Sequence, residues 1–112
     1  MQKKPRTYND GIARFYRKKD KSKNVKSLDD LEYLGFLCFE EKGRRQQDIE
    51  FAEQSGQSLS LKIVTPDDGD MDGDRNVLID DVIYAIIKID RDRENSELYF
   101  YMEEVRKIAR DN

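Results

Sequence analysis

The sequence predicts an all-β fold, either a small antiparallel β-barrel or a sandwich-like domain, with long loops and room for one short helix. Apolar residues recur at every second position in several segments, which is the periodicity of a strand with one buried face. Polar, Gly- and Asp-rich stretches separate these segments and are typical of turns and loops. The 112 residues fit a single domain with one modest core. We therefore expect residues 1–8 to form a flexible N-terminal tail and residues 9–110 to form one β domain.

The first strand is predicted in "GIARFYRKK", which follows the tail. Alternation places Ile12, Arg14 and Tyr16 on one face and Ala13, Phe15 and Arg17 on the other. A basic connection, "KDKSKNVKS", then leads to the next strand.

The second strand is predicted in "LEYLGFLCFEE", from Leu31 to Glu41, and it is apolar on both faces. One face carries Leu34, Phe36 and Cys38, and the other carries Tyr33, Leu37 and Phe39. A strand of this kind is covered on both sides, by the core and by a helix or a neighbouring subunit. Cys38 is then expected to be a small buried hydrophobic residue with no catalytic role.

The segment from Lys42 to Ser58 fits two interpretations equally well. Ile49, Ala52 and Glu53 can share one face of a short helix that ends near Gly56. The same residues can form a long mobile loop of the kind that carries function. The next strand, "LSLKIVT", alternates cleanly, with Leu59, Leu61 and Ile63 predicted inward and Ser60 and Lys62 outward.

The acidic stretch after this strand matches half of a calcium loop. Asp68, Asp70, Asp72 and Gly73 occupy positions 1, 3, 5 and 6 of the EF-hand pattern. Position 12, which requires a bidentate acid, is Ile79, and the flanking segments are rich in β-branched residues rather than helical. The pattern therefore favours a solvated connection between strands over a metal site, with a calcium-regulated module as an alternative.

Two further strands form a predicted hairpin in "NVLIDDVIYAIIKID", with Asp80 and Asp81 as its turn. A last strand, "ELYFYMEEV", places Leu98, Phe100 and Met102 on one face. Tyr99 and Tyr101 lie on the opposite face. They are either half-exposed residues that pack on neighbouring strands or part of an interface.

Composition excludes several kinds of chemistry. There is no histidine and only one cysteine, so a disulfide within the chain, a structural zinc site and a Ser-His-Asp triad are all ruled out. No glycine pattern resembles a nucleotide-binding loop, and no apolar run is long enough to span a membrane. We expect an intracellular, soluble protein without enzymatic activity, metal or cofactor.

The charges divide the chain into a basic arm and an acidic body. Residues 1–27 contain ten Lys or Arg and two Asp, a net charge of +8, and the remaining residues then carry −11. Such an arm can bind nucleic acid or dock on an acidic neighbour. One alternative function is therefore a small nucleic-acid-binding barrel, with a basic aromatic platform. Its candidate residues are Phe15 and Tyr16 with the cations Arg14, Arg17, Lys18 and Lys19, and the same cations are interface candidates.

The order of segments resembles a known family. "IEFAEQSG", "LKIVTP", "VLIDDVIYAIIKID" and "LYFYMEEV" are similar in order and pattern to the phage head-tail joining proteins, also called head-closure or stopper proteins. The resemblance is to members from tailed phages and prophages of Gram-positive bacteria, and it covers about residues 9–108. These signals are strand patterns and not an invariant chemical motif.

The resemblance implies a structural β-barrel that is made in the bacterial cytoplasm and assembles into the virion. It implies a ring under the portal and its adaptor that closes the DNA-filled head and docks the tail. The segment from Lys42 to Ser58 would face the channel, where Arg44, Arg45, Gln46 and Gln47 would contact DNA or neighbouring loops. The acidic loop is longer than the family pattern implies.

Overall fold

The structure, a computed structural model, describes residues 7–108. Its elements are β1 (Gly11–Lys18), a 3-10 turn (Leu28–Asp30), β2 (Leu31–Lys42), α1 (Gln46–Gln54), β3 (Leu61–Pro66), β4 (Asn76–Ile79), β5 (Val82–Asp92) and β6 (Glu97–Lys107). The all-β prediction is confirmed, and so is the prediction that the fold can include one short helix. No helix within this part of the chain is long and apolar enough to cross a membrane.

The six strands pair in the order β1-β2-β3-β6-β5-β4, and β4 returns to β1 to close the sheet. All of the pairs are antiparallel. The β4–β5 hairpin is the predicted one, with Ile79 opposite Val82 and Asp80 in a left-handed conformation at the turn. Closure depends on β2, which pairs with β1 through most of its length and with β3 only through Glu40–Lys42.

The interior of the closed sheet is apolar and follows the predicted alternation. Ala13 and Phe15 on β1, Ile63 on β3, and Leu98, Phe100 and Met102 on β6 are all buried there. The rings of Phe15 and Phe100 lie 5.5 Å apart and are tilted by 43°. This geometry is typical of favourable aromatic packing.

A smaller cluster lies outside the sheet, where the connection between β1 and β2 folds back. Val25 of this connection packs with Leu31, Leu78 and Ile83. The Ser27 hydroxyl accepts a hydrogen bond from the Asp29 N–H and caps the short 3-10 turn. The connection therefore covers the outer side of β4 and the start of β5.

The helix α1 covers another part of the outer surface. Ala52 packs with Leu59 and Tyr101, so Leu59 lies under the helix, and the prediction that it faces the interior was wrong. The helix ends in a Schellman motif, because the N–H groups of Gly56 and Gln57 donate to the carbonyls of Glu53 and Ala52. Gly56 has φ +74°, the left-handed conformation that this motif requires.

The outer face of β2 differs from the prediction in two ways. A β-bulge at Leu34 shifts the register, since Phe15 pairs with Gly35 and Tyr16 with Tyr33. The extra residue turns Leu34 towards the core and leaves Tyr33 exposed, which reverses their predicted faces. Cys38 is exposed and not buried, because neither α1 nor the β1–β2 connection reaches it.

Tyr8, one of the first residues that the structure describes, contacts strand β6. The Tyr8 hydroxyl donates a 2.7 Å hydrogen bond to Glu97 Oε2, so Tyr8 is held on the domain although it was assigned to the tail. The remaining predictions for the tail, residues 1–6, and for residues 109–110 lie outside the described part of the chain.

Candidate functional site

An apolar surface lies on the outer side of strands β1 and β2. It is called the β1–β2 face and consists of Ile12, Arg14, Tyr33, Phe36 and Cys38. Phe36 is 57% exposed and Tyr33 51% exposed, the two largest values among the exposed large hydrophobic residues. Ile12 is directly opposite Cys38, and Arg14 is opposite Phe36. Cross-strand pairing therefore joins these side chains into one patch.

The backbone beside this face is open as well. β2 pairs with β3 only through Glu40–Lys42, so residues 31–39 have β1 as their only strand neighbour in the described structure. An unpaired strand edge presents N–H and C=O groups that another chain can bind. Exposed aromatic side chains next to such an edge are the features of a protein-docking surface.

A second candidate site is a cavity beside the start of α1, called the α1 pocket. Its volume is about 600 Å³. The residues that line it are Lys42, Gly43, Arg44, Arg45, Lys62, Asp90, Tyr99 and Tyr101. They come from the end of β2, the connection to α1, and strands β3, β5 and β6, which the closed sheet brings together.

Lys62 forms part of the pocket wall in an unusual environment. Lys62 points away from the interior of the sheet, as predicted. Its side chain is nevertheless only 5% exposed, because α1 covers it. Lys62 Nζ lies 3.0 Å from Asp48 Oδ2 and 4.8 Å from the centre of the Tyr101 ring. A buried ammonium group requires such a partner, since desolvation strongly disfavours an isolated charge.

Tyr101 is held between charged groups. Lys88 Nζ lies 4.5 Å from the centre of its ring, and the same ammonium is 3.6 Å from Asp90 Oδ2. Burial raises the pKa of the Tyr101 phenol above its ordinary value, and the hydrogen bond to Asp90 raises it further. Tyr101 is thus a neutral donor at physiological pH, fixed beneath the helix.

The rim of the pocket is cationic. Arg44 Nη1 donates a 3.1 Å hydrogen bond to the Leu59 carbonyl, which fixes the guanidinium against the turn before β3. Arg45 precedes the first residue of α1, and its backbone N–H donates to Asp48. Lys42 Nζ lies 3.8 Å from Glu40, and both side chains are about one-third exposed.

The structure brings together residues that were selected for different reasons. Arg44 and Arg45, the expected channel contacts, line the same pocket as the interface candidates Tyr99 and Tyr101. Tyr101 is 7% exposed, so only a ligand inside the pocket can reach it. Gln46 and Gln47 do not line the pocket and are exposed on the first turn of α1.

The basic residues of β1 are dispersed. Arg14 belongs to the β1–β2 face, and Lys19 is exposed just after the strand. Arg17 and Lys18 line a separate cavity of about 220 Å³ near Arg75. Phe15, which the nucleic-acid alternative used for base stacking, is 2% exposed in the core. That platform therefore lacks one of its two aromatic residues, because β1 directs Phe15 inward.

The acidic loop between β3 and β4 does not form the geometry of a calcium site. Asp68 and Asp72 accept hydrogen bonds from backbone N–H groups two residues further on. Asp67 forms a 2.9 Å ion pair with Arg91. Ile79, at the position of the closing ligand, is buried in the core. Within residues 7–108, no three acidic or cysteine side chains converge as metal ligands.

Neither the comparison with protein-family models nor the comparison with curated proteins returns a match. Function is therefore inferred from the residues and their geometry.

Sequence reasoning missed Lys42, Lys62 and Asp90 as residues that line one pocket, and it missed Asp48 as the partner of Lys62. A weak signal for Lys62 was present, since it is the only charged residue in "LSLKIVT". Asp48 precedes Ile49 on the segment that allowed either a helix or a loop. Without the helix there is no reason to place the two charges together, because they are 14 residues apart.

Proposed function

We propose that the protein is a structural subunit of a phage or prophage head–tail connector. In this role it joins head to tail as a ring under the portal and adaptor, closes the DNA-filled capsid and docks the tail. It would be made in the bacterial cytoplasm and function in the virion. The observation that carries the proposal is the uncovered β1–β2 face.

The β1–β2 face supports assembly for an energetic reason. Phe36 and Tyr33 expose large apolar surface to water, although burial of an aromatic side chain of this size stabilises by roughly 1.5–3 kcal/mol. The β1–β2 connection and α1 pack over other parts of the sheet and leave this surface free. A subunit whose apolar face is completed by other protein chains would recover that free energy on assembly.

The rest of the fold suits the same role. A closed antiparallel sheet provides a rigid scaffold, and the open edge of β2 adds backbone groups that can pair across a subunit boundary. Contacts in a ring are heterologous, so one subunit needs two different complementary surfaces. The β1–β2 face and the α1 pocket are two such surfaces, and they have no residue in common.

The proposal is tested by mixing the purified protein with portal–adaptor complexes on DNA-filled heads and measuring co-sedimentation. The wild-type protein is expected to associate with these complexes. Phe36→Ser should lose most of the association, because it removes the centre of the β1–β2 face. Val105→Ser is the matched control, since Val105 is 48% exposed but lies on β6, away from that face.

Failure of the wild-type protein to associate would overturn the proposal. Equal association of wild type and Phe36→Ser would show that the β1–β2 face is not the contact. Circular dichroism of each variant checks that the β fold is retained. An independent check is the gene neighbourhood, where flanking portal, capsid and tail genes are expected and a metabolic operon would count against the role.

A further inference from the structure

We infer that the α1 pocket binds the carboxylate of an acidic side chain, Asp or Glu, presented by a protein partner. The inference deepens the proposed function, on which it rests for the nature of the partner. Four of the residues that line the pocket are cationic, and only Asp90 is acidic. The pocket therefore has the charge of an anion-binding site.

Two of these charges are already neutralised inside the protein. Lys62 is bound to Asp48, and the Asp90 carboxylate lies 3.6 Å from Lys88 Nζ. Lys42 has a loose contact with Glu40 at 3.8 Å. The pocket thus receives its net positive charge from the two arginines on the rim.

Arg44 and Arg45 have the chemistry that a carboxylate requires. Neither guanidinium forms an ion pair with any residue between 7 and 108. The Arg44 bond to the Leu59 carbonyl uses one of five N–H donors and orients the others. A guanidinium can bind both oxygens of a carboxylate through parallel hydrogen bonds. Tyr99 lines the same pocket and contributes a phenol, which is a further hydrogen-bond donor.

The surroundings favour an isolated carboxylate over a nucleic-acid backbone. A nucleic acid needs a positive track for successive phosphates, whereas these cations converge on one cavity. Residues 28–112 carry a net charge of −11, which would repel the second and third phosphates of a strand.

The test uses the full-length protein and a short fluorescein-labelled peptide, Ser-Gly-Glu-Glu-Gly-Ser, with blocked ends. Its twin carries Gln in place of both Glu residues, and a labelled thymidine oligonucleotide of the same length tests nucleic acid. Binding is followed by fluorescence anisotropy at low salt. The Glu peptide should bind at least roughly tenfold more tightly than the Gln peptide, the discrimination expected for charge-assisted hydrogen bonds.

Arg45→Gln should weaken binding of the Glu peptide roughly tenfold. Arg14→Gln is the matched control, because it removes the same charge from the β1–β2 face, and it should leave binding unchanged. Lys42→Gln provides a second variant in the pocket and should weaken binding in the same direction. Since Arg14, Arg45 and Lys42 lie outside the core, all three variants are expected to fold.

Three results would overturn the inference. These are equal binding of the Glu and Gln peptides, equal loss in Arg14→Gln and Arg45→Gln, and tighter Arg45-dependent binding of the oligonucleotide than of the Glu peptide. Failure of the proposed function is distinguishable. Peptide binding without association to DNA-filled heads would refute only the connector role. Association without peptide binding would refute only the inference that the α1 pocket binds a carboxylate.

Discussion

Lys62 and Asp48 form a buried ion pair between strand β3 and helix α1, with Nζ and Oδ2 3.0 Å apart. The two side chains are 5% and 9% exposed. Asp48 also accepts a hydrogen bond from the Arg45 N–H at 3.4 Å, so one carboxylate joins the helix start to the sheet. The pair therefore positions the connection that carries Arg44 and Arg45.

Removal of one member of this pair should destabilise the fold strongly. Lys62→Met leaves the Asp48 carboxylate buried without its cation, and we expect the free energy of unfolding to fall by about 3–5 kcal/mol. The double variant Lys62→Met/Asp48→Leu removes both charges and should recover much of this loss. Urea unfolding of wild type, both single variants and the double variant measures the coupling. Additive losses would contradict the pairing.

The raised pKa of Tyr101 predicts a loss of stability at alkaline pH. Its pKa is raised in the folded state by burial first and then by Asp90, so the folded protein holds the phenolic proton more tightly than the unfolded chain does. The resulting stabilisation is complete below the unfolded pKa of about 10 and is lost progressively as pH rises above that value.

Tyr101→Phe tests this linkage. Between pH 9 and 11, the free energy of unfolding should decline less steeply in Tyr101→Phe than in wild type. Burial also raises the pKa of Tyr84, which therefore contributes a residual slope in both proteins. Equal slopes would show that Tyr101 ionises as readily in the folded protein as in the unfolded chain.

Most of the sheet was predictable from local pattern. Alternation identified the strands, and it placed Ile63 and Phe100 inward because period-two burial depends only on neighbouring residues. Asp80 and Asp81 marked the hairpin turn for the same local reason. The bulge at Leu34 was not predictable in this way, since a register shift depends on how β2 bends between two partner strands.

The α1 pocket depends on contacts that are distant in sequence. The sequence around Ile49 and Ala52 was compatible with either a helix or a loop. In the structure it is a helix, and its apolar residues pack on Leu59 and Tyr101. Only then do charges on β3 and α1 meet. Cys38 is the opposite case. Because β2 is apolar on both faces, its outer face was predicted to be covered, but no element of the described chain covers Cys38.

Gly11 is predicted to be intolerant of a side chain. It has φ +155°, and a Cβ atom there would lie 3.0 Å from Phe39 Cε1 in the core. Gly11→Ala should lower the free energy of unfolding by about 1–3 kcal/mol, because the Phe39 ring must shift within close-packed surroundings. Gly73→Ala is the control, since a Cβ atom there meets nothing within 4 Å. Its effect should remain within about 0.5 kcal/mol.

Exposure of Cys38 provides a probe of the β1–β2 face. In the free native protein, the thiol should react with Ellman's reagent at a rate close to that in urea, because no element of the described chain covers it. Cys38→Ser gives the blank. A native thiol that reacts only after denaturation would contradict the exposed position and support the cover that the sequence predicted.

The same thiol separates the two proposed contacts. Association with portal–adaptor complexes should slow the reaction of Cys38, because Ile12 and Phe36 beside it would be buried by the partner. The acidic peptide should leave the rate unchanged, because Cys38 does not line the α1 pocket, which β2 reaches only at Lys42, four residues further along the strand. Protection by the peptide alone would mean that the two sites are coupled or that the peptide binds the β1–β2 face.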